Sequence, residues 1–126
     1  MSEGERPSIL ICVDNSETQN RLADLLSNIA DLTFASDIDK AIDISRKVKI
    51  DFAFVSLNLP SGYSYRFVKE LRNHNIHYPA ALVIPSYSED LTILANRLGY
   101  ITVFSEPLNA SVFQIQARSI LKTIGH

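Results

Sequence analysis

The side chains of this 126-residue chain that could do chemistry stand at the ends of apolar runs. Asp14 follows Ile9–Val13. Ser56 follows Phe52–Val55 inside "DFAFVSLNLP". Ser86 comes two residues after Ala80–Ile84, and Ser105-Glu106-Pro107 follows Ile101–Phe104. In α/β proteins the carboxyl end of a strand is where ligands and reacting groups sit. A serine hydroxyl needs an adjacent base to become a nucleophile. Asp14 or Glu106 could be that base for Ser56, and the chemistry would be phosphoryl transfer or hydrolysis. His74 and His77 are three apart but have no Cys or acid cluster nearby, so they read as surface residues rather than metal ligands. Gly62 follows Pro60-Ser61 and suits a turn; a single glycine does not make a phosphate cradle. Tyr63 and Tyr65 flank this region and read as partly exposed packing residues.

The elements that must position these residues alternate. The expected strands are Ile9–Val13, Leu32–Ala35, Phe52–Leu57, Ala80–Ile84 and Ile101–Phe104. They are continuous apolar runs, as in parallel strands covered on both faces. Ser16-Glu17-Thr18-Gln19 is a capping box, followed by the stripe Leu22, Leu25, Leu26, Ile29. Asp14 just before it reads as a helix-start acid. Ser36 or Asp37 can cap a second helix with Ile38, Ala41 and Ile42 inward. A third should run from about Tyr63 to Asn73, burying Phe67, Val68 and Leu71. Ser88 can cap a fourth that carries Leu91, Leu94, Ala95 and Leu98 and stops at Gly99. Asn109 can cap a fifth with Phe113, Ala117, Ile120 and Ile124 inward.

Strict β-α alternation implies right-handed crossovers and a three-layer sandwich. The expected fold is flavodoxin-like, a parallel five-stranded sheet of order 2-1-3-4-5. Its crevice lies where strands 1 and 3 diverge, between Asp14 and Ser56–Pro60. The chain suits one domain over 8–126, after a floppy polar segment at 1–7 that lacks the apolar core of a signal peptide. Hydrophobic residues make up 46%, enough for a real core, and the net charge is -2. That charge gives no electrostatic case for nucleic acid or an anionic membrane. The apolar runs are too short to span a bilayer. The single cysteine, Cys12, lies within an apolar run and reads as a small buried hydrophobe. These features fit a reducing, cytoplasmic setting.

"ILICVDNSE", "DFAFVSLNLP", "KELR", "YPAALVIPS" and "LGYITVFSEP" occur in an order and spacing that resemble the receiver domain of two-component response regulators, over about Ser8 to Ile124. The resemblance implies phosphoryl transfer from a histidine kinase to an aspartate, with magnesium. Such chemistry needs a carboxylate nucleophile, two further acids for the cation, and a hydroxyl and a lysine for the phosphoryl oxygens. Carried over by position, the acid pair falls on Val13 and Asp14 and the phosphoacceptor on Ser56. The switch hydroxyl falls on Ile84, or on Ser86 with a slip of two, and the lysine on Glu106. Asp14, Pro60 and Pro107 keep the family's type. The Glu106–Pro107 bond takes the place of one commonly cis in the family.

The expectation is therefore a pseudo-receiver, not an enzyme, that binds no cofactor. Asp14 is a weak metal candidate, and Glu106 is expected to point into water. The family's face of fourth helix, fifth strand and fifth helix implies a surface here at Ile93, Tyr100, Val103, Val112 and Ile115. It would serve a homodimer, a signalling protein or a histidine kinase-related partner. The other readings are unconventional chemistry at Ser56 with Asp14 or Glu106, and a small-molecule-binding flavodoxin-like module.

Overall fold

Successive residues of a strand point to opposite faces of a sheet, so a run such as Phe52–Ser56 needs cover on both sides. The computed structural model, which describes residues 6–59 and 62–123 (backbone alone at 62, 63 and 123), provides that cover. The elements are β1 (Ser8–Cys12), α1 (Ser16–Leu26), β2 (Asp31–Ala35), α2 (Ile38–Lys47) and β3 (Phe52–Ser56). A short antiparallel hairpin follows, β4 (Asn58–Leu59) and β5 (Gly62–Tyr63), and then a 3-10 turn at Ser64–Arg66. The chain continues through α3 (Phe67–Asn73), β6 (Ala80–Ile84), α4 (Glu89–Arg97), β7 (Thr102–Ser105) and α5 (Ala110–Thr123). Pro60, Ile124 and the first five residues lie outside the described residues.

The main sheet is parallel with order β2-β1-β3-β6-β7. The expected order 2-1-3-4-5 counted five strands. The hairpin that the sequence did not signal adds two more, so the last two sheet strands become the sixth and seventh. One face carries Leu10, Cys12, Ala53, Val55, Leu82 and Ile84 against α2, α3 and Ala95 of α4. The other carries Ile9, Ile11, Phe52, Phe54, Ala81, Val83 and Phe104 against α1 and α5. On this second face Phe54, Phe104 and Phe113 meet with ring centroids 5.1–5.6 Å apart. Such aromatic contacts add to the burial of their area.

Several local expectations change. Asn15, not Ser16, caps α1: its Oδ1 accepts from the Glu17 and Thr18 amides at 2.8 and 3.3 Å. Asp14 stands one residue outside the cap. The helix ends at Leu26, which leaves Ile29 beyond it and 36% exposed. Of the two candidates for α2, Asp37 is the cap, while Ser88 and Asn109 cap α4 and α5 as expected. The chain is tied down from Arg6, whose guanidinium donates to the carbonyls of Ser27 and Ala30, and Pro7 is buried. Both had been assigned to the floppy segment. Gly99 takes φ 98° after α4, a conformation that favours glycine.

Candidate functional site

Strand alternation decides what meets at the carboxyl end of the sheet. Cys12 pairs with Val55, so the next rung opposes Val13 to Ser56, and Ser56 pairs with Val83 on its other side. Val13 and Val83 are both buried on the α1–α5 face. Ser56 is itself only 8% exposed and stands between two valines. No carboxylate or imidazole flanks it in register.

The two remaining acids line different cavities. Asp14, in the bend after β1, lines one of about 370 Å³ with Gln19 of α1, Phe34, Ser36 and Lys40. Phe104 also faces α1 and α5, so Glu106, two residues on, returns to that side. It accepts a hydrogen bond from the Thr18 hydroxyl of α1. Glu106 is thus half-buried and bound, not directed into water as expected. It lines a second cavity, of about 710 Å³, with Thr18, Arg21, Asp24 and Pro85. Arg21 closes one edge by donating through Nε and Nη2 to the Leu108 carbonyl at 3.3 and 3.1 Å. The Glu106–Pro107 peptide bond is cis.

Ile84 is fully buried against the α2–α3 layer, while Ser86 is exposed in the loop after β6. Neither hydroxyl nor ammonium is therefore supplied at position 84 or 106. A divalent cation such as magnesium needs several converging oxygens. Val13 offers none from its side chain, Ser56 offers a neutral hydroxyl, and Asp14 and Glu106 line separate cavities. The residues present do not fit the metal. Among the described residues no group of three His, Cys, Asp or Glu is placed to hold one. His74 and His77 are exposed.

The loop after Ser56 is held by residues that the sequence reading missed. Ser64 is fully buried. Its hydroxyl donates to the Ser56 carbonyl and, at 3.1 Å, to that of Leu57, whose oxygen also takes the Ser64 amide at 2.9 Å. Tyr100 donates its hydroxyl to the Ser64 carbonyl at 2.7 Å. Tyr100 was expected on the surface, yet it is 2% exposed. A buried phenol needs such a partner, and this one lies 36 residues away in sequence. Burial also pushes its pKa well above the ordinary tyrosine value. Burial pushes the Cys12 thiol up to about 12, with the charges of Asp37 and Asp14 adding to the effect. Cys12 is accordingly an inert core residue.

Of the other residues expected on a contact face, Ile93, Val112 and Ile115 are 48%, 56% and 71% exposed. Val103 is half-buried and packs on the core. Ile101 and Tyr87 are also exposed and are not among the residues expected on that face.

No protein-family model and no curated protein matches the chain. Solved structures do. A two-component response regulator from Clostridium difficile superposes with a TM-score of 0.86 at 20% identity, covering 96% of this chain and all (100%) of that one. The receiver domain of a Francisella response regulator gives 0.82 at 18% identity, over 94% and 98% of the two chains. The chemotaxis protein CheY4 of Vibrio cholerae gives 0.83 at 16%, over 92% and 99%. The chain has the CheY-like, flavodoxin-type fold of response-regulator receiver domains.

Proposed function

We propose that the chain is a receiver-like signalling module that has lost phosphoryl transfer and acts through protein–protein contact. The observation that carries this reading is the rung Val13–Ser56–Val83, with Asp14 and Glu106 lining different cavities. At the place that the resemblance assigns to the phosphoacceptor, a neutral hydroxyl lies between valines. A phosphoserine there would meet no lysine, since Glu106 occupies the corresponding position. The same geometry weakens chemistry at Ser56 with Asp14 or Glu106 as base. A flavodoxin-type ligand site is weakened by the lack of a glycine- or hydroxyl-rich cradle in the loops around Ser56.

The contact face we propose lies on α4, β7 and α5. Tyr87, Ile93, Ile101, Val112 and Ile115 expose apolar surface there. Exposed apolar patches of this kind mark interaction sites. A second copy or another signalling protein would cover it, in a cytoplasmic setting. Among the described residues no helix is long and apolar enough to cross a membrane.

Amide NMR during a magnesium titration tests the lost chemistry. The expected result is no saturable shift at Asp14, Ser56 or Leu57; a saturable set at those three amides would overturn it. Light scattering over a range of concentrations tests the contact face. Association that Val112→Asp or Ile115→Asp abolishes is expected, and a strict monomer would remove the homodimer.

A further inference from the structure

We propose that the cleft between the ends of α3 and α4 binds a small amphipathic monocarboxylate through Arg72. Two residues with positive φ build the cleft. Asn75 has φ 59° after α3, and the Ile76 amide then donates to the Leu71 carbonyl at 2.9 Å, which brings the chain back beside the helix. Gly99 has φ 98° after α4, and the Tyr100 amide donates to the Ala95 carbonyl at 3.0 Å. Pro79 and Ile101 directly precede β6 and β7, so the cleft lies at the amino end of the sheet, away from Ser56. Its volume is about 350 Å³, at the small end of the usual range of about 300–1,000 Å³ for ligand sites. Val68, Leu71, Ile76, Pro79 and Ile101 give it apolar walls. Gly99 leaves the space between Val68 and Arg72 free: a Cβ there would fall 2.8 Å from Val68 Cγ1 and 3.5 Å from Arg72 Nη2. The ionisable groups on the wall besides Tyr78 are Arg72 and His77, and among the described residues no carboxylate lines it. The Tyr78 hydroxyl is taken by Ser45 Oγ at 2.8 Å. Among the described residues the Arg72 guanidinium makes no ion pair and no hydrogen bond. One guanidinium balances one negative charge, and its planar fork matches the two oxygens of a carboxylate. A phosphate monoester carries about -1.5 to -2 at pH 7 and would need a second fixed cation. The apolar walls favour a carboxylate with a hydrocarbon body. A last-turn arginine also suits the dipole of α3, but that role asks only for its charge.

Amide NMR of the whole chain during a titration with octanoate tests the site. Saturable shifts are expected at Ile76, His77, Gly99 and Ile101. Octanol lacks the charge and acetate lacks the hydrocarbon body, so neither should saturate at those amides. Octyl phosphate should bind more weakly than octanoate, which separates a carboxylate site from a phosphate site. Arg72→Gln should weaken octanoate about tenfold. Arg72→Lys keeps the charge beside the helix end but loses the fork, and it should weaken octanoate too. Ile101→Glu places an acid at the exposed rim; it should remove the saturable shifts, and it carries the test if an Arg72 variant fails to fold. Octanol matching octanoate, octyl phosphate binding as tightly, or full affinity in any of the three variants would overturn the proposal. So would silence at those four amides in the parent chain.

Discussion

Ser56→Asp restores the carboxylate that phosphoryl chemistry would need, and the geometry says that it should harm the protein without reviving that chemistry. The new side chain would stand between Val13 and Val83, which are 3% and 2% exposed, at a position only 8% exposed itself. Asp14 lines a separate cavity, and Glu106 is held by Thr18. The carboxylate would lose water and gain no cation. A carboxyl held about one to two pH units above its free value costs about 1.4–3 kcal/mol at pH 7. That is a large part of a typical stability of about 5–15 kcal/mol. The sign follows from proton binding. The folded variant holds its proton more tightly than the unfolded chain, so the penalty grows as pH rises through the free carboxyl range and fades on acidification. Urea unfolding of S56D and the parent chain, at neutral and acidic pH, with and without magnesium, checks each step. The variant should lose about 1.4–3 kcal/mol at pH 7, recover toward the parent at low pH, and ignore magnesium. A stabilisation of about 1 kcal/mol or more by magnesium would refute the reasoning, because it would mean that oxygens converge where the geometry separates them.

Three further outcomes follow from packing and ionisation. In Gly99→Ala the new Cβ would sit 2.8 Å from Val68 Cγ1 at a φ of 98°, so a loss of about 1–3 kcal/mol is expected in urea melts. Phe113→Ala removes a ring packed against Phe54 and Phe104 and should cost about 3–5 kcal/mol by the same measurement. Stability should also fall in alkali. Burial raises Cys12 from its ordinary 9.0 to about 12, and Tyr78 from 10.0 to about 12 against the opposing pull of its Ser45 hydrogen bond. Above pH 9 the unfolded chain releases the Cys12 proton first, and above pH 10 the Tyr78 proton. Each group then removes up to about 1.4 kcal/mol per pH unit until its folded value is reached. Cys12→Ala should flatten the first part of that decline, and an unchanged slope would show that Cys12 contributes nothing to it.

Much of the scaffold was legible in the sequence because it rests on local signals. Ala80–Ile84 is a continuous apolar run between loop residues, and its bounds are those of β6. Ser88 and Asn109 are isolated capping residues before helical stripes, and they act as such. The start of α1 was read one residue late: the capping box pointed to Ser16, whereas the side chain of Asn15 just before it meets the free amides. The site was less legible because its decisive contacts are distant. Glu106 finds Thr18 across 88 residues, and Tyr100 finds Ser64 across 36. An isolated glutamate or tyrosine near a strand end gives no sign of such a partner.

The central claim is that the mouth of this receiver-type fold no longer accepts a phosphoryl group. Intact mass measured after incubation with magnesium and acetyl phosphate addresses it directly. The account predicts an unchanged mass. Incorporation of acid-labile phosphate, mapped to Ser56 or Asp14, would contradict it.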